Sequence, residues 1–147
     1  MRYYELISDD YMLRNDYNCA ETMLVGANEA YEIGLDTKAL HAASAFGGGM
    51  GRERACGAMT GALMALGCMR SRDWAHKDER LGELRDEFVR KFESRFGSLD
   101  CAAIKQTHRS DTRGCQAVVE IAASLVEEVL VRETRTGETR TGEAPAR

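Results

Sequence analysis

An all-α fold is what this chain of 147 residues predicts, and three observations carry the prediction. Apolar residues recur at helical spacing along most of the chain, and no run alternates polar and apolar as a half-buried strand would. The single proline is Pro145, so none interrupts the body of the chain. Asn18 is followed three residues later by Glu21, the pattern of a capping box at a helix start. Together these describe a compact single-domain bundle of about six helices over residues 1–132, with a low-complexity, disordered tail over 133–147.

The elements follow in order. Residues 4–17 form the first helix. Asn18 caps the second, which turns Met23, Ala27, Ala30 and Tyr31 to one side and closes at Gly34. Asp36 caps a short third helix over 37–46. The run Gly47-Gly-Gly-Met-Gly51 holds too much glycine for a helix, at roughly 1 kcal/mol each, and is expected to be a tight connection. Residues 55–69 form the fourth helix, with Gly57, Gly61 and Ala65 at a spacing that lets another backbone approach closely. A long polar helix starts at Asp73, with Trp74, Leu81, Leu84, Phe88, Phe92 and Phe96 as its inner stripe, and ends at Gly97. Ser98 caps a short turn reaching to about residue 106. Asp111 caps the last helix, whose stripe is Cys115, Val118, Val119, Ala122, Leu125, Val126 and Val129. From Glu133 the sequence Glu-Thr-Arg-Thr-Gly occurs twice with no apolar content, which predicts disorder.

Formal net charge is −4 and no basic patch stands out. Phosphate binding needs clustered Lys and Arg, so a nucleic-acid partner is not expected. Acids at Glu5, Asp9 and Asp10 precede any apolar run as long as that of a secretory signal. The longest uncharged stretch, 55–69, is shorter than the ~18 residues of a membrane span. The expectation is a cytoplasmic protein without a membrane partner. The small-residue face of the fourth helix would permit a homodimer.

In a reducing compartment the five cysteines do not read as a disulfide framework, and metal binding, catalysis or redox sensing become the leading uses. Cys19, Cys56, Cys101 and Cys115 each fall in or beside the first turn of an expected helix. Cys68 alone lies near a helix end and is expected in the core. Unpaired N–H groups and the helix dipole put partial positive charge at a first turn, and that favours a thiolate. Arg52 and Arg54 would add to this at Cys56, which makes Cys56 the expected reactive thiol, with a pKa below the ~8.5 of a free cysteine. Taken singly, each cysteine could equally be inert packing.

Spacing removes several familiar sites. There is no Cys-x-x-Cys, hence no thioredoxin-type pair and no zinc ribbon, and no ferredoxin-type cysteine run. Any site must gather cysteines from separate helices, as bundles can. The glycine run lacks the Gly-Lys-Ser/Thr ending of a phosphate loop. Bare backbone at Gly48, Gly49 and Gly51, with Arg52 beside it, would let a ligand or a partner thiol come close to Cys56; a plain interhelical turn is the alternative. His41, His76 and His108 show no ligand spacing.

Asn18-Cys19-Ala20-Glu21, then Phe46-Gly-Gly-Gly-Met-Gly-Arg52, Cys56-Gly-Ala-Met-Thr-Gly61, Gly97-Ser-Leu-Asp-Cys101 and finally Cys115 resemble the pattern of the C-GCAxxG-C-C family. The likeness spans about residues 11–130. It implies a compact helical protein with a redox role, in some members tied to selenium chemistry at a cysteine position. The family's four cysteines fall on Cys19, Cys56, Cys101 and Cys115. The resemblance supplies no substrate and leaves the redox partner unknown. Two chemistries suit such a set. In the first, some of the four cycle between dithiol and disulfide. In the second, all four thiolates hold an iron–sulfur cluster, with zinc ranked behind it, in an electron carrier or sensor. No cofactor is certain from the sequence. A helical interaction module with inert cysteines is the third reading. The resemblance places thiol redox first.

Overall fold

The computed structural model describes residues 2–139, with side chains over 2–135. Among them the chain is all-helical, with eight α-helices and no strand. These are α1 (Arg2–Ser8), α2 (Tyr11–Asn15), α3 (Cys19–Tyr31), α4 (Thr37–Leu40), α5 (Gly57–Arg70), α6 (Glu79–Phe96), α7 (Cys101–His108) and α8 (Gln116–Thr139). No helix among the described residues is long and apolar enough to cross a membrane.

The count exceeds six because the expected first helix breaks in two and the short turn expected after Ser98 is a helix of its own, α7. Asp10 takes a left-handed conformation at φ 53° and separates α1 from α2. The capping box forms as expected: Asn18 Oδ1 accepts from the Glu21 N–H at 2.8 Å, and the Asn18 N–H donates to Glu21 Oε1 at 2.9 Å. The residue that closes α3 is Glu32 in a left-handed conformation, with Gly34 two residues later. Asp36 caps α4 through Ala39, but after Leu40 the chain tightens into a 3₁₀ turn over His41–Phe46.

The small-residue face of α5 is used inside the molecule. A Cβ on Gly61 would lie 2.5 Å from the Ala20 carbonyl oxygen, so the glycine lets α5 lie directly on α3. On the other side of α3, a Cβ on Gly26 would lie 2.6 Å from Ile7 Cδ1, and Tyr3 donates to the Met23 carbonyl at 2.6 Å. Leu84, Phe88, Phe92 and Phe96 of α6 and Val118, Val119, Ala122, Val126 and Val129 of α8 complete the core.

Four boundaries differ from expectation. Trp74 does not belong to the apolar stripe of α6: it precedes the helix, whose cap is Asp78, and is 84% exposed. Asp78 accepts from the N–H groups of Leu81 and Arg72 at 3.0 and 2.7 Å, which fixes the start of α6 five residues later than Asp73 would. Ser98 and Asp111 are not helix caps either. Ser98 accepts from the Asp100 N–H ahead of α7, and α8 begins only at Gln116. The helix also continues past residue 132. Glu133, 11% exposed, is held between Arg70 of α5 and Arg80 of α6, so the first residues of the polar repeat are drawn into α8 by ion pairing. Residues 140–147 of the expected tail lie outside the described residues.

Candidate functional site

Each of the four cysteines stands at a helix start. Cys19 is the first residue of α3 and Cys101 the first of α7; Cys56 is the N-cap of α5, and Cys115 directly precedes α8. Helix starts alone do not bring them together. Two short pairings and two glycines do.

The first pairing joins α5 to α7. Ala55 and Asp100 form an antiparallel bridge, in which the Cys56 N–H donates to the Leu99 carbonyl at 2.8 Å and the Cys101 N–H to the Arg54 carbonyl at 2.6 Å. The loop leading into it is left-handed over four consecutive residues: Gly48, Gly49, Met50 and Gly51 have φ of 61, 60, 62 and 69°. Glycine tolerates this region and methionine does not favour it, which explains the glycine run. A Cβ on Gly49 would lie 2.9 Å from Cys101 Cβ, so this bare Cα seats Cys101. Gly57 does the same for Cys19, whose Cβ would lie 3.1 Å from a Cβ placed there. The cysteine packed against the glycine run is Cys101. Gly48, Gly51 and Arg52 are exposed, and a Cβ on either glycine would meet no atom within 4 Å.

The second pairing places Cys115. Ser110 and Gly114 exchange two backbone hydrogen bonds, both 2.9 Å, around a tight turn. The residues flanking that bridge are Arg109 and Cys115, and the Arg109 side chain hydrogen-bonds the Cys115 sulfur across it. Behind the turn, Gln116 Nε2 donates to the Ile7 carbonyl at 2.6 Å, and Arg113 reaches Asp10 at 2.8 Å and Glu120 at 2.7 Å. These contacts pin the start of α8 to the corner between α1 and α2.

All five cysteines are free thiols. Cys19 hydrogen-bonds Cys115, and the four site cysteines act on one another electrostatically. Their acidities diverge. The hydrogen bond from Cys19 lowers the Cys115 pKa to about 6, with help from the Arg109 hydrogen bond and the charges of Arg109 and Lys105. Cys19 moves strongly upward, because it is the donor in that pair and is desolvated. Burial pushes Cys56 up to about 11, although the N–H groups of Ala58 and Met59 reach its sulfur as a helix start should provide. Cys101 is raised by desolvation and by Cys115.

The thiolate expected at Cys56 is thus favoured at Cys115 instead. The physical reason is burial: Cys56 is 4% exposed, and desolvation there outweighs two backbone donors. The cations that matter, Lys105 and Arg109 at the end of α7, escaped the sequence reading. Their only signal was Gly114 just before Cys115, which marks a turn with a left-handed residue where a helix start at Asp111 was expected. Cys68, expected in the core, is exposed on α5 and lies apart from the other four.

Among the described residues, no three His, Cys, Asp or Glu side chains stand together so as to hold a metal ion. As placed, the four sulfurs do not form the ligand set of a single zinc ion.

Comparison with curated proteins and with solved structures gives no match. A family model described as "Putative redox-active protein (C_GCAxxG_C_C)" matches residues 17–129, from just before Cys19 to beyond Cys115. The match covers most of the chain and all four site cysteines, and on it the chain belongs to the C_GCAxxG_C_C family.

Proposed function

We propose that this protein carries out thiol–disulfide redox chemistry, with Cys115 as nucleophile and Cys19 as resolving thiol. The observation that carries the reading is the Cys19–Cys115 hydrogen bond beneath Arg109. It stores one proton on the deeper sulfur and leaves the outer one as thiolate near neutral pH. The thiolate is the attacking species in disulfide exchange, and a thiol whose pKa lies near ambient pH attacks best.

The steps balance on a disulfide substrate. The Cys115 thiolate attacks one substrate sulfur, the substrate S–S bond breaks, and the first leaving thiolate takes a proton from water. Cys19 then gives up its proton as its sulfur attacks Cys115, the mixed disulfide breaks, and the second substrate thiol departs. Two electrons pass to the substrate, and the protein ends with a Cys19–Cys115 disulfide. Cys101 also feels Cys115, and Cys56 is buried.

The test is alkylation of the reduced protein across a pH series, with each cysteine followed by peptide mass spectrometry, and then mild oxidation. Cys115 should be modified first, with a midpoint near 6, and Cys19–Cys115 should be the first disulfide to form. An ordinary midpoint at Cys115 overturns the reading. So does iron with matching acid-labile sulfide in protein purified without oxygen, since all four sulfurs would then be ligands.

A further inference from the structure

Arg109 and Cys115 flank the two-bond Ser110–Gly114 bridge, which brings the Arg109 guanidinium to the Cys115 sulfur and makes that thiol more acidic. The guanidinium has five N–H donors in a planar fork, and a single sulfur leaves several of them unused. Neighbouring cations are committed elsewhere. Lys105 is paired with Glu53, and Arg113 with Asp10 and Glu120. Arg109 is exposed, and among the described residues no carboxylate forms an ion pair with it. An outward-facing guanidinium touching the attacking sulfur is therefore placed to receive an anion carried by whatever that sulfur attacks. Arginine matches a carboxylate in a two-pronged geometry that lysine cannot reproduce.

We propose that Arg109 selects the substrate: it binds a carboxylate on the disulfide that Cys115 attacks, so the site takes small disulfides with carboxylates a few bonds from sulfur. The proposal rests on the nucleophile assignment above and adds the class of molecule reduced. The short reach from guanidinium to sulfur requires the carboxylate and the disulfide to share one short skeleton. A substrate R–S–S–R with a carboxylate on each R is cleaved to two carboxylated thiols R–SH, while Cys19 and Cys115 become a disulfide, in the two displacements already described.

The experiment uses the full-length reduced protein and three disulfides of similar size: dithiodipropionate, hydroxyethyl disulfide and cystamine, which are anionic, neutral and cationic. The rate of Cys115 oxidation is followed for each. All three meet the same thiolate fraction, so their rate ratios cancel any change in the acidity of Cys115. The anionic disulfide should outrun the cationic one by about tenfold or more at low salt, and the ratio should shrink as salt rises. Arg109→Gln should collapse the ratio towards that of a small free thiol, while Arg109→Lys should keep the salt dependence and lose part of the preference. A ratio unchanged by Arg109→Gln overturns the selection role alone. Failure of all three disulfides to oxidise Cys115 faster than an unstructured cysteine peptide overturns the nucleophile assignment, and the selection role with it.

Discussion

The Cys19 thiol hydrogen-bonds the sulfur of Cys115, and this contact splits two chemically identical side chains into a proton holder and a thiolate. A hydrogen bond to a charged group is worth about 1.5–3 kcal/mol, and one pKa unit corresponds to about 1.36 kcal/mol. Cys19→Ala, which removes the donor, should therefore raise the Cys115 pKa by about one to two units, whereas Cys19→Ser, which keeps an O–H there, should hold it closer to the parent value. Ultraviolet absorbance of the thiolate across a pH series reads both. Coincident titrations of Cys115 in the parent and in Cys19→Ala would show that the contact does not set its acidity.

Stability should follow the same asymmetry. Cys115 is a depressed acid: folded protein loses its proton near pH 6, unfolded chain near ~8.5. Between those values the unfolded state binds more protons, so stability rises with pH, and this contribution disappears as pH falls through about 6. Cys19 and Cys56 are raised, so above about pH 8.5 they act oppositely and stability falls as pH climbs. In reducing buffer, the difference in unfolding free energy between the parent and Cys115→Ser should widen from pH 6 to about 8.5. A difference that does not vary with pH would contradict the assignment.

Gly49 and Gly48 share a left-handed conformation but not the same neighbours. A methyl at Gly49 would meet the Arg54 backbone at 2.5 and 2.7 Å and Cys101 Cβ at 2.9 Å, while one at Gly48 would meet nothing within 4 Å. Gly48→Ala should cost only the conformational strain of about 1–2 kcal/mol. Gly49→Ala should cost clearly more and should alter the alkylation rate of Cys101. Equal losses in thermal melts, with Cys101 undisturbed, would mean the loop does not seat that cysteine.

Glu133 closes the far end of the bundle by joining Arg70 and Arg80. Glu133→Ala should destabilise the protein by about 1–3 kcal/mol, because it leaves two arginines facing each other in a partly buried setting. Truncation after residue 132 should reproduce most of that loss in a denaturant melt. A truncated chain as stable as the parent would return residues 133–139 to the role of a dispensable tail.

The sequence by itself determined the helical class, the capping box at Asn18 and Glu21, the apolar stripes of α6 and α8, and the placement of Cys19, Cys56, Cys101 and Cys115 at helix starts. These are local properties: spacing within one helix and hydrogen bonds over three or four residues are written in adjacent letters. The break at Asp10 and the entry of Glu133 into α8 were not legible, because the first rests on a single left-handed residue and the second on Arg70 and Arg80, 63 and 53 residues away. The choice of reactive thiol belongs to the tertiary structure as well. All four cysteines have similar local surroundings, and only packing decided that Cys56 is desolvated, that Cys19 donates to Cys115, and that a tight turn over 110–114 carries Arg109 to the thiolate. Acidity is set by burial and by charges within a few ångströms, and those distances exist only once the helices have met.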